Sequence, residues 1–151
     1  MDKAEEVLRQ ARTVVVIDWP SRDVPDTLAR AGFIVVVHGG PGPEDYSIQE
    51  VVDGEVVPRH LGGAPQHADL VYSYRPVGEL PGIVSSAQKI GATAIWRQSG
   101  MASSGADDSK GCWVAASESE QARQIVESAG LVYLEQPYIA DAVRRITGEA
   151  G

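Results

Sequence analysis

The sequence predicts an α/β fold in which a doubly wound, mainly parallel sheet of about five strands forms a single domain over residues 1–151. Short apolar, β-branched runs alternate with segments whose apolar residues recur at helical spacing, as is typical of such sheets. The stretch from Ala68 to Gly100 reads as strand, turn, helix and strand. Two buried strands joined by one helix form a parallel βαβ unit. Ligands bind beyond the carboxyl ends of the strands in this architecture.

The first half of the chain is predicted to contain two helices, two strands and a hairpin. The elements before the hairpin are a helix over 4–11, a strand over Thr13–Ile17, a helix over 24–31 that Gly32 ends, and a strand over 33–37. The run Thr13–Ile17 is β-branched without interruption, which favours a strand buried on both faces. Asp53-Gly54 between two β-branched pairs is a strong hairpin signal, and we interpret this hairpin as an excursion at the sheet edge.

The second half continues the alternation of strands and helices. Its predicted elements are a strand over 69–74, a helix over 81–90, a strand over 92–96, a helix over 117–129, a strand over 131–134 and a terminal helix over 140–146. Pro81 suits a first helical turn because its missing N–H is not needed there. Ser117 and Glu120 stand three residues apart, which predicts a capping box. Trp96 is predicted to be a core residue.

Composition excludes several classes of protein. The apolar content of 43% and charged content of 23% are ordinary for a soluble globular protein. A net charge of −8 argues against a general nucleic-acid binder. No apolar run is long enough for a membrane span, and the acidic start lacks the apolar core of a signal peptide. The single cysteine, Cys112, excludes an intramolecular disulfide and is interpreted as a structural thiol. We therefore expect a cytoplasmic protein.

The usual signatures of catalysis are absent from the sequence. The first strand–helix turn, residues 18–23, has no glycine, whereas a dinucleotide site needs a G-x-G-x-x-G turn there. There is no Walker A lysine loop and no G-x-S-x-G nucleophile elbow. His38, His60 and His67 lack metal-ligand spacing. We therefore predict no catalytic residue and no metal site, and an enzyme is the less expected reading.

Several stretches, in their order, resemble the small CoA-binding proteins. The most specific are Tyr74-Arg75-Pro76 after the third parallel strand and Trp96-Arg97-Gln98-Ser99-Gly100 after the fourth. The resemblance covers about residues 5–145. This family consists of single-domain Rossmann-type proteins similar to the CoA-binding domain of the succinyl-CoA synthetase α subunit. The resemblance implies that coenzyme A lies across the carboxyl ends of the strands, with its diphosphate near the first strand–helix turn.

The resemblance also implies which residues contact the ligand. The residues on the phosphate side are Trp19, Pro20, Ser21 and Arg22. His38, at the end of the second strand, lies near the adenine or ribose. The residues that form the floor of the site are Tyr74, Arg75, Pro76, Gln98, Ser99 and Gly100. Backbone N–H groups at a helix start favour an anion there, and Arg22 is expected to pair with a phosphate. Arg75 and Arg97 each follow a buried strand, and each is either an anion ligand or the partner of an acidic side chain.

The chain departs from the family pattern at three places. The first turn reads Asp18-Trp19-Pro20-Ser21 where the family has Gly-Ala-Ser, and Glu135-Gln136-Pro137 stands where the family has Arg-Cys-Pro. Residues 101–113 look like an insertion beside the site, either a lid or a loop without that role. Two hypotheses follow. The first is a non-catalytic protein that binds coenzyme A or an acyl-CoA. The alternative is a degenerate Rossmann module that acts through protein–protein contacts, by Trp19 and the insertion, as a homo-oligomer or with a partner.

Overall fold

A computed structural model describes residues 2–19, 21–39, 42, 45–98 and 116–148. The helices in these residues are α1 (Lys3–Gln10), α2 (Asp23–Arg30), α3 (Leu80–Lys89), α4 (Ala116–Ser128) and α5 (Ile139–Thr147). The strands are β1 (Thr13–Ile17), β2 (Ile34–His38), β3 (Tyr46–Val52), β4 (Glu55–His60), β5 (Leu70–Ser73), β6 (Ala94–Arg97) and β7 (Val132–Leu134). A short 3-10 turn, Val77–Glu79, precedes α3.

One sheet of seven strands, in the order β4-β3-β2-β1-β5-β6-β7, organises the described residues. Five neighbouring strands of this sheet pair in parallel, and they are β2, β1, β5, β6 and β7. The hairpin β3–β4 adds two antiparallel strands beside β2. The predicted α/β fold is therefore confirmed. The strand number exceeds the predicted five because the hairpin joins the same sheet.

Helices cover the parallel strands on both faces, as a doubly wound sheet requires. On one face α1, α2 and α5 pack on a core that includes Val14, Val16 and the fully buried Trp96. On the other face α3 and α4 pack on a second core that includes Val15 and Val71. Alternate residues of β1 thus belong to different cores, which is why this strand is an unbroken β-branched run.

The hairpin turn has the geometry that its sequence predicts. Asp53 and Gly54 both have positive φ, 51° and 81°. A two-residue type I′ turn requires this conformation at both central positions, and Asp-Gly adopts it readily. The turn sets the pairing of Val52 with Glu55 and therefore the register of the whole hairpin.

The boundaries of several elements differ from the sequence prediction. Strand β2 runs one residue later than predicted, from Ile34 to His38. The predicted capping box is wrong, because α4 already includes Ala116 and Ser117 lies inside its first turn. The predicted insertion at 101–113, with Cys112, lies outside the described residues. No helix among the described residues has both the length and the apolar character needed to span a bilayer.

An ionic network joins α2 to α5. Two guanidinium nitrogens of Arg144 donate to the Asp23 carboxylate at 3.0 and 3.1 Å, and the Tyr138 hydroxyl donates to the same carboxylate at 2.9 Å. The hydrogen bonds from Arg144 lower the pKa of Asp23, although burial opposes this. Burial raises the pKa of Tyr138 to about 12. Because Asp23 opens α2, the network also holds the segment that follows β1.

Replacing Asp23 by Asn is expected to lower the free energy of unfolding by about 1 kcal/mol at neutral pH, since a partly exposed ion pair contributes no more than that. The folded-state pKa of Asp23 lies below the ordinary 3.8. The stabilisation is therefore complete above that value and is lost as the pH falls through the folded-state pKa. Urea denaturation at neutral pH and at about pH 3 measures both effects. The exposed pair Arg123–Glu127 offers a control, and Glu127→Gln should change stability less.

Candidate functional site

A cleft of about 610 Å³ lies at the carboxyl ends of the central strands. The chain leaves β1 toward β2 on one side and returns to β5 on the other side. The carboxyl ends of strands at such a reversal form the usual ligand crevice of an open α/β sheet. The residues that line the cleft are Ile17, Asp18, Trp19, His38, Gly39, Arg75 and Glu79. Its volume is in the range of small-molecule sites.

Asp18 directly follows β1 and connects it to Arg75, which lies after β5. Its φ of 61° is in the left-handed region, which Asp tolerates better than most residues. One carboxylate oxygen accepts a hydrogen bond from the Trp19 backbone N–H at 2.9 Å. The other accepts from Nη1 of Arg75 at 3.1 Å. This side chain therefore closes its own turn and also holds an arginine in the cleft.

Arg75 lies between two carboxylates. Besides the contact with Asp18, its Nε and Nη2 donate to Glu79 at 3.1 and 2.6 Å. These hydrogen bonds raise the pKa of Arg75 and lower the pKa of Glu79. With two negative groups around one positive group, this part of the cleft carries excess negative charge. A phosphate that binds Arg75 must compete with both carboxylates.

His38 forms the opposite wall of the cleft at the end of β2. Its ring stacks on the ring of Tyr46, with centroids 4.3 Å apart and an interplanar angle of 8°. Its Nε2 lies 3.0 Å from the carbonyl oxygen of Gly42. Because a carbonyl only accepts, this geometry assigns the proton to Nε2. The imidazole is thus held in one orientation beside the cleft.

The structure brings only some of the predicted site residues to the cleft. Trp19, His38 and Arg75 line it, and Trp19 also packs against the first core. Arg22 points elsewhere, because its Nη2 donates to Asp26 at 2.8 Å and to Gln49 at 2.9 Å. Ser21 and Pro76 are exposed near this edge, and Tyr74 packs partly against the core. Pro20, Ser99 and Gly100 lie outside the described residues.

Gln98 lies beneath the edge and not in the cleft. It is fully buried, and its amide oxygen accepts a hydrogen bond from the Tyr72 hydroxyl at 3.0 Å. Its amide nitrogen donates to the carbonyl oxygens of Glu135 and Pro137 at 3.4 Å each. The side chain therefore ties the ends of β5 and β6 to the segment after β7.

Arg97 is a buried partner for an acid. It donates to the Glu118 carboxylate in α4, and its Nε donates to the Arg75 carbonyl oxygen at 3.2 Å. Among the described residues, its Nη1 has no hydrogen-bond partner, and neither has Oγ of Ser73, the residue that pairs with Arg97 between β5 and β6. Two neighbouring strand ends thus bury unsatisfied polar atoms, which is uncommon in folded proteins.

Two acidic residues at this edge were missed by the sequence analysis. Glu79 stands four residues after Arg75, a spacing at which ion pairs are common, although Arg75 lies before the 3-10 turn that contains Glu79. Glu118 is separated from Arg97 by twenty-one residues, and no local pattern connects them. No group of side chains suited to a metal ion occurs among the described residues.

Comparison with known proteins gives a family match and a fold match. A family model described as a CoA binding domain matches residues 16–139. The crystal structure of Prb, a protein redesigned for binding, superposes with a TM-score of 0.61 at 18% identity, over 97% of this chain and 92% of that chain. A protein of unknown function from Methanothermobacter thermautotrophicus gives a TM-score of 0.46 at 9% identity, over 88% and 84% of the two chains. None of the curated proteins matches. At 18% identity, the likeness to Prb concerns the fold alone.

Ser73→Ala is expected to leave the free energy of unfolding of the ligand-free protein unchanged or slightly higher. The substitution removes a buried hydroxyl that has no partner among the described residues, and it leaves none of their polar groups unpaired. Gln98→Leu is the contrasting variant, because it leaves the Tyr72 hydroxyl and two carbonyl oxygens without this amide. It should cost about 1–3 kcal/mol. Urea denaturation compares the two, and a large loss of stability in Ser73→Ala would contradict the expectation.

Proposed function

The chain belongs to the CoA-binding domain family, and we propose that it binds coenzyme A or an acyl-CoA without catalysing a reaction on it. The family membership confirms the resemblance read from the sequence. One observation carries the proposal: the matched residues, 16–139, include every residue that lines the cleft between β1 and β5. A nucleotide in this crevice would lie where ligands of open α/β sheets bind.

The proposed pose places the diphosphate beside the first turn and the adenine or ribose beside His38. Arg75 is the arginine that lines the cleft, and it is the strongest candidate for a phosphate contact. Arg22 reaches a phosphate only if it gives up its contacts with Asp26 and Gln49. The remaining proposed contacts are Trp19, Pro20, Ser21, Tyr74, Pro76, Gln98, Ser99 and Gly100. For the buried Gln98 the contact would be through its backbone.

The affinity of this site should be limited by charge. Asp18 and Glu79 already accept hydrogen bonds from Nε, Nη1 and Nη2 of Arg75. A diphosphate must displace at least one of the two carboxylates or bind next to it. Two like unit charges about 4 Å apart repel each other by ~1 kcal/mol even in bulk water. We therefore propose that Asp18 lowers the affinity for coenzyme A.

The same observation favours the alternative function. If the two carboxylates exclude phosphate entirely, the cleft no longer binds nucleotides, and the protein acts through protein–protein contacts. A non-catalytic role is proposed in both cases, because no nucleophile, metal cluster or acid–base pair stands out in the sequence. A cytoplasmic location and the lack of a nucleic-acid ligand stay predictions from the sequence.

A thermal-shift series with coenzyme A, acetyl-CoA, dephospho-CoA, ADP, NAD and ATP tests the proposal. A ligand that binds only the folded state at one hundred times its dissociation constant adds about 2.7 kcal/mol to the stability. We expect coenzyme A and acetyl-CoA to raise the melting temperature more than NAD does. Unchanged melting temperatures with every nucleotide would contradict nucleotide binding and support the alternative.

Asp18→Gly is expected to strengthen coenzyme A binding by roughly tenfold, which corresponds to about 1.4 kcal/mol. The change removes a carboxylate from the cleft and suits the left-handed backbone. Asp53→Gly is the matched control, since Asp53 also has positive φ but lies in the hairpin turn away from the cleft. Calorimetric titration measures both. Equal affinities in Asp18→Gly and the wild type would refute the charge argument.

A further inference from the structure

A second cavity, of about 160 Å³, lies between α3 and the loop that joins β4 to β5, and we call it the side pocket. Its floor is the sheet, where Val15 of β1 and Val71 of β5 are both buried in the second core. Ala64 and Pro65 form the wall on the loop side. Of the described residues, only Ile17 lines both the side pocket and the cleft, so the two are separate concavities that lie next to each other.

The side pocket exists because one flank of α3 carries small side chains at its middle. Ile83, Ala87 and Ile90 stand at helical spacing on the side of α3 that faces the sheet, and all three line the pocket. Ser86 and Ala87 lie between the two isoleucines along the helix. Neither of these short side chains fills the space above the sheet, and that space is the pocket.

The size of the side pocket suits a hydrocarbon group of about six carbon atoms, because an apolar cavity of about 150 Å³ binds benzene. The described residues that line it and are buried are all apolar, namely Val15, Val71, Ile83 and Ala87. A ring or a short aliphatic chain that enters the pocket loses contact with water, and this loss favours binding. The interior of the pocket therefore selects an apolar group.

The two polar side chains that α3 contributes to the side pocket lie together at its rim. Ser86 and Lys89 are both exposed and stand three residues apart, a spacing that places two side chains next to each other on a helix surface. Within the described part of the chain, the Lys89 ammonium forms no ion pair and the Ser86 hydroxyl makes no hydrogen bond. Both groups are therefore available to a ligand.

The side pocket differs from the cleft in its charge. Asp18 and Glu79 line the cleft, whereas the described residues that line the side pocket include Lys89 and no carboxylate. Because the whole chain carries a net charge of −8, most of its surface repels anions, but this rim attracts them. A single ammonium beside one hydroxyl provides donors for one carboxylate group.

We propose that the side pocket is a second ligand site, for a small carboxylic acid whose hydrocarbon part enters the pocket and whose carboxylate binds Ser86 and Lys89 at the rim. The proposal does not rest on coenzyme A binding, because it uses no polar group of the cleft. The bound acid contacts both α3 and the loop between β4 and β5, since each supplies a wall of the pocket. Benzoate has the ring size and the single charge that this site requires.

Titration of the methyl-labelled protein with benzoate, followed by NMR, tests the proposal. We expect saturable shifts with a dissociation constant of about 1 mM, as is reasonable for a ligand of this size. The shifts should be largest for the methyl groups of Val71, Ile83 and Ile90, which line the pocket. Benzyl alcohol, which has the ring without the charge, should bind about fivefold more weakly, since an exposed ion pair contributes no more than this. Acetate, which lacks the ring, should not bind.

Unshifted methyl groups at these three residues would overturn the proposal, and so would equal affinities for benzoate and benzyl alcohol. Measurable binding of acetate at the same methyl groups would also contradict it, because the apolar pocket would then contribute nothing to binding.

Two pairs of variants test the two parts of the side pocket. Ser86→Leu places a larger side chain in the pocket and should abolish benzoate binding. Ser85→Leu is its control, because Ser85 is exposed on the same helix but does not line the pocket. Lys89→Gln should weaken benzoate binding about fivefold and leave benzyl alcohol binding unchanged. Lys3→Gln, on α1, is the control for this change. Equal effects within either pair would overturn the proposal.

A titration in the presence of coenzyme A distinguishes the side pocket from the cleft. Benzoate should shift the same methyl groups whether or not coenzyme A has been added. Displacement of benzoate by coenzyme A would show that the pocket belongs to the nucleotide site and would overturn the proposal. A protein that binds benzoate but no nucleotide would support the second site and contradict only the proposed function. Circular dichroism of each variant verifies that it is folded.

Discussion

The central position of β1 determines where the functional groups of this protein meet. This strand pairs in parallel with β2 on one side and with β5 on the other, so the three carboxyl ends emerge at the same edge. The chain must cross from one half of the sheet to the other at this point, and the crossing leaves a crevice above β1. The buried β-branched residues of β1 pack alternately into the two cores, which lie on opposite faces of the sheet. The cleft is thus a consequence of the topology.

The position of the cleft suits an anionic ligand, but the side chains that line it are less favourable to one. Arg75 would be an effective phosphate ligand, but Asp18 and Glu79 already satisfy it. The ion pairs with Asp18 and Glu79 stabilise the charged Arg75 side chain and hold it in one orientation. A charged ligand gains only the difference between its own contacts with Arg75 and those that it replaces. Family membership therefore indicates the class of ligand, and we propose that these two carboxylates set how tightly it is held.

Much of the fold could be predicted from local patterns, whereas most of the site could not. The uninterrupted run of β1 and the Asp53-Gly54 turn depend on neighbouring residues only, and both form as predicted. The direction of Arg22 depends on Gln49, a residue twenty-seven positions away in β3. The capping box at Ser117 is wrong because α4 already includes Ala116. Sequence spacing can show which strand ends share an edge, but it does not show which side chains turn toward the cleft.

The left-handed backbone at the end of β1 also restricts how this site can evolve. Only a few residues accept φ near 60° without strain, chiefly Gly, Asn and Asp. Codons for Gly and Asn each differ from an Asp codon by a single nucleotide. A lineage can therefore change the charge at position 18 in one mutational step and keep the turn intact. If Asp18 lowers the affinity for the ligand as we propose, that affinity can be adjusted at a position where most other substitutions would be rejected on conformational grounds.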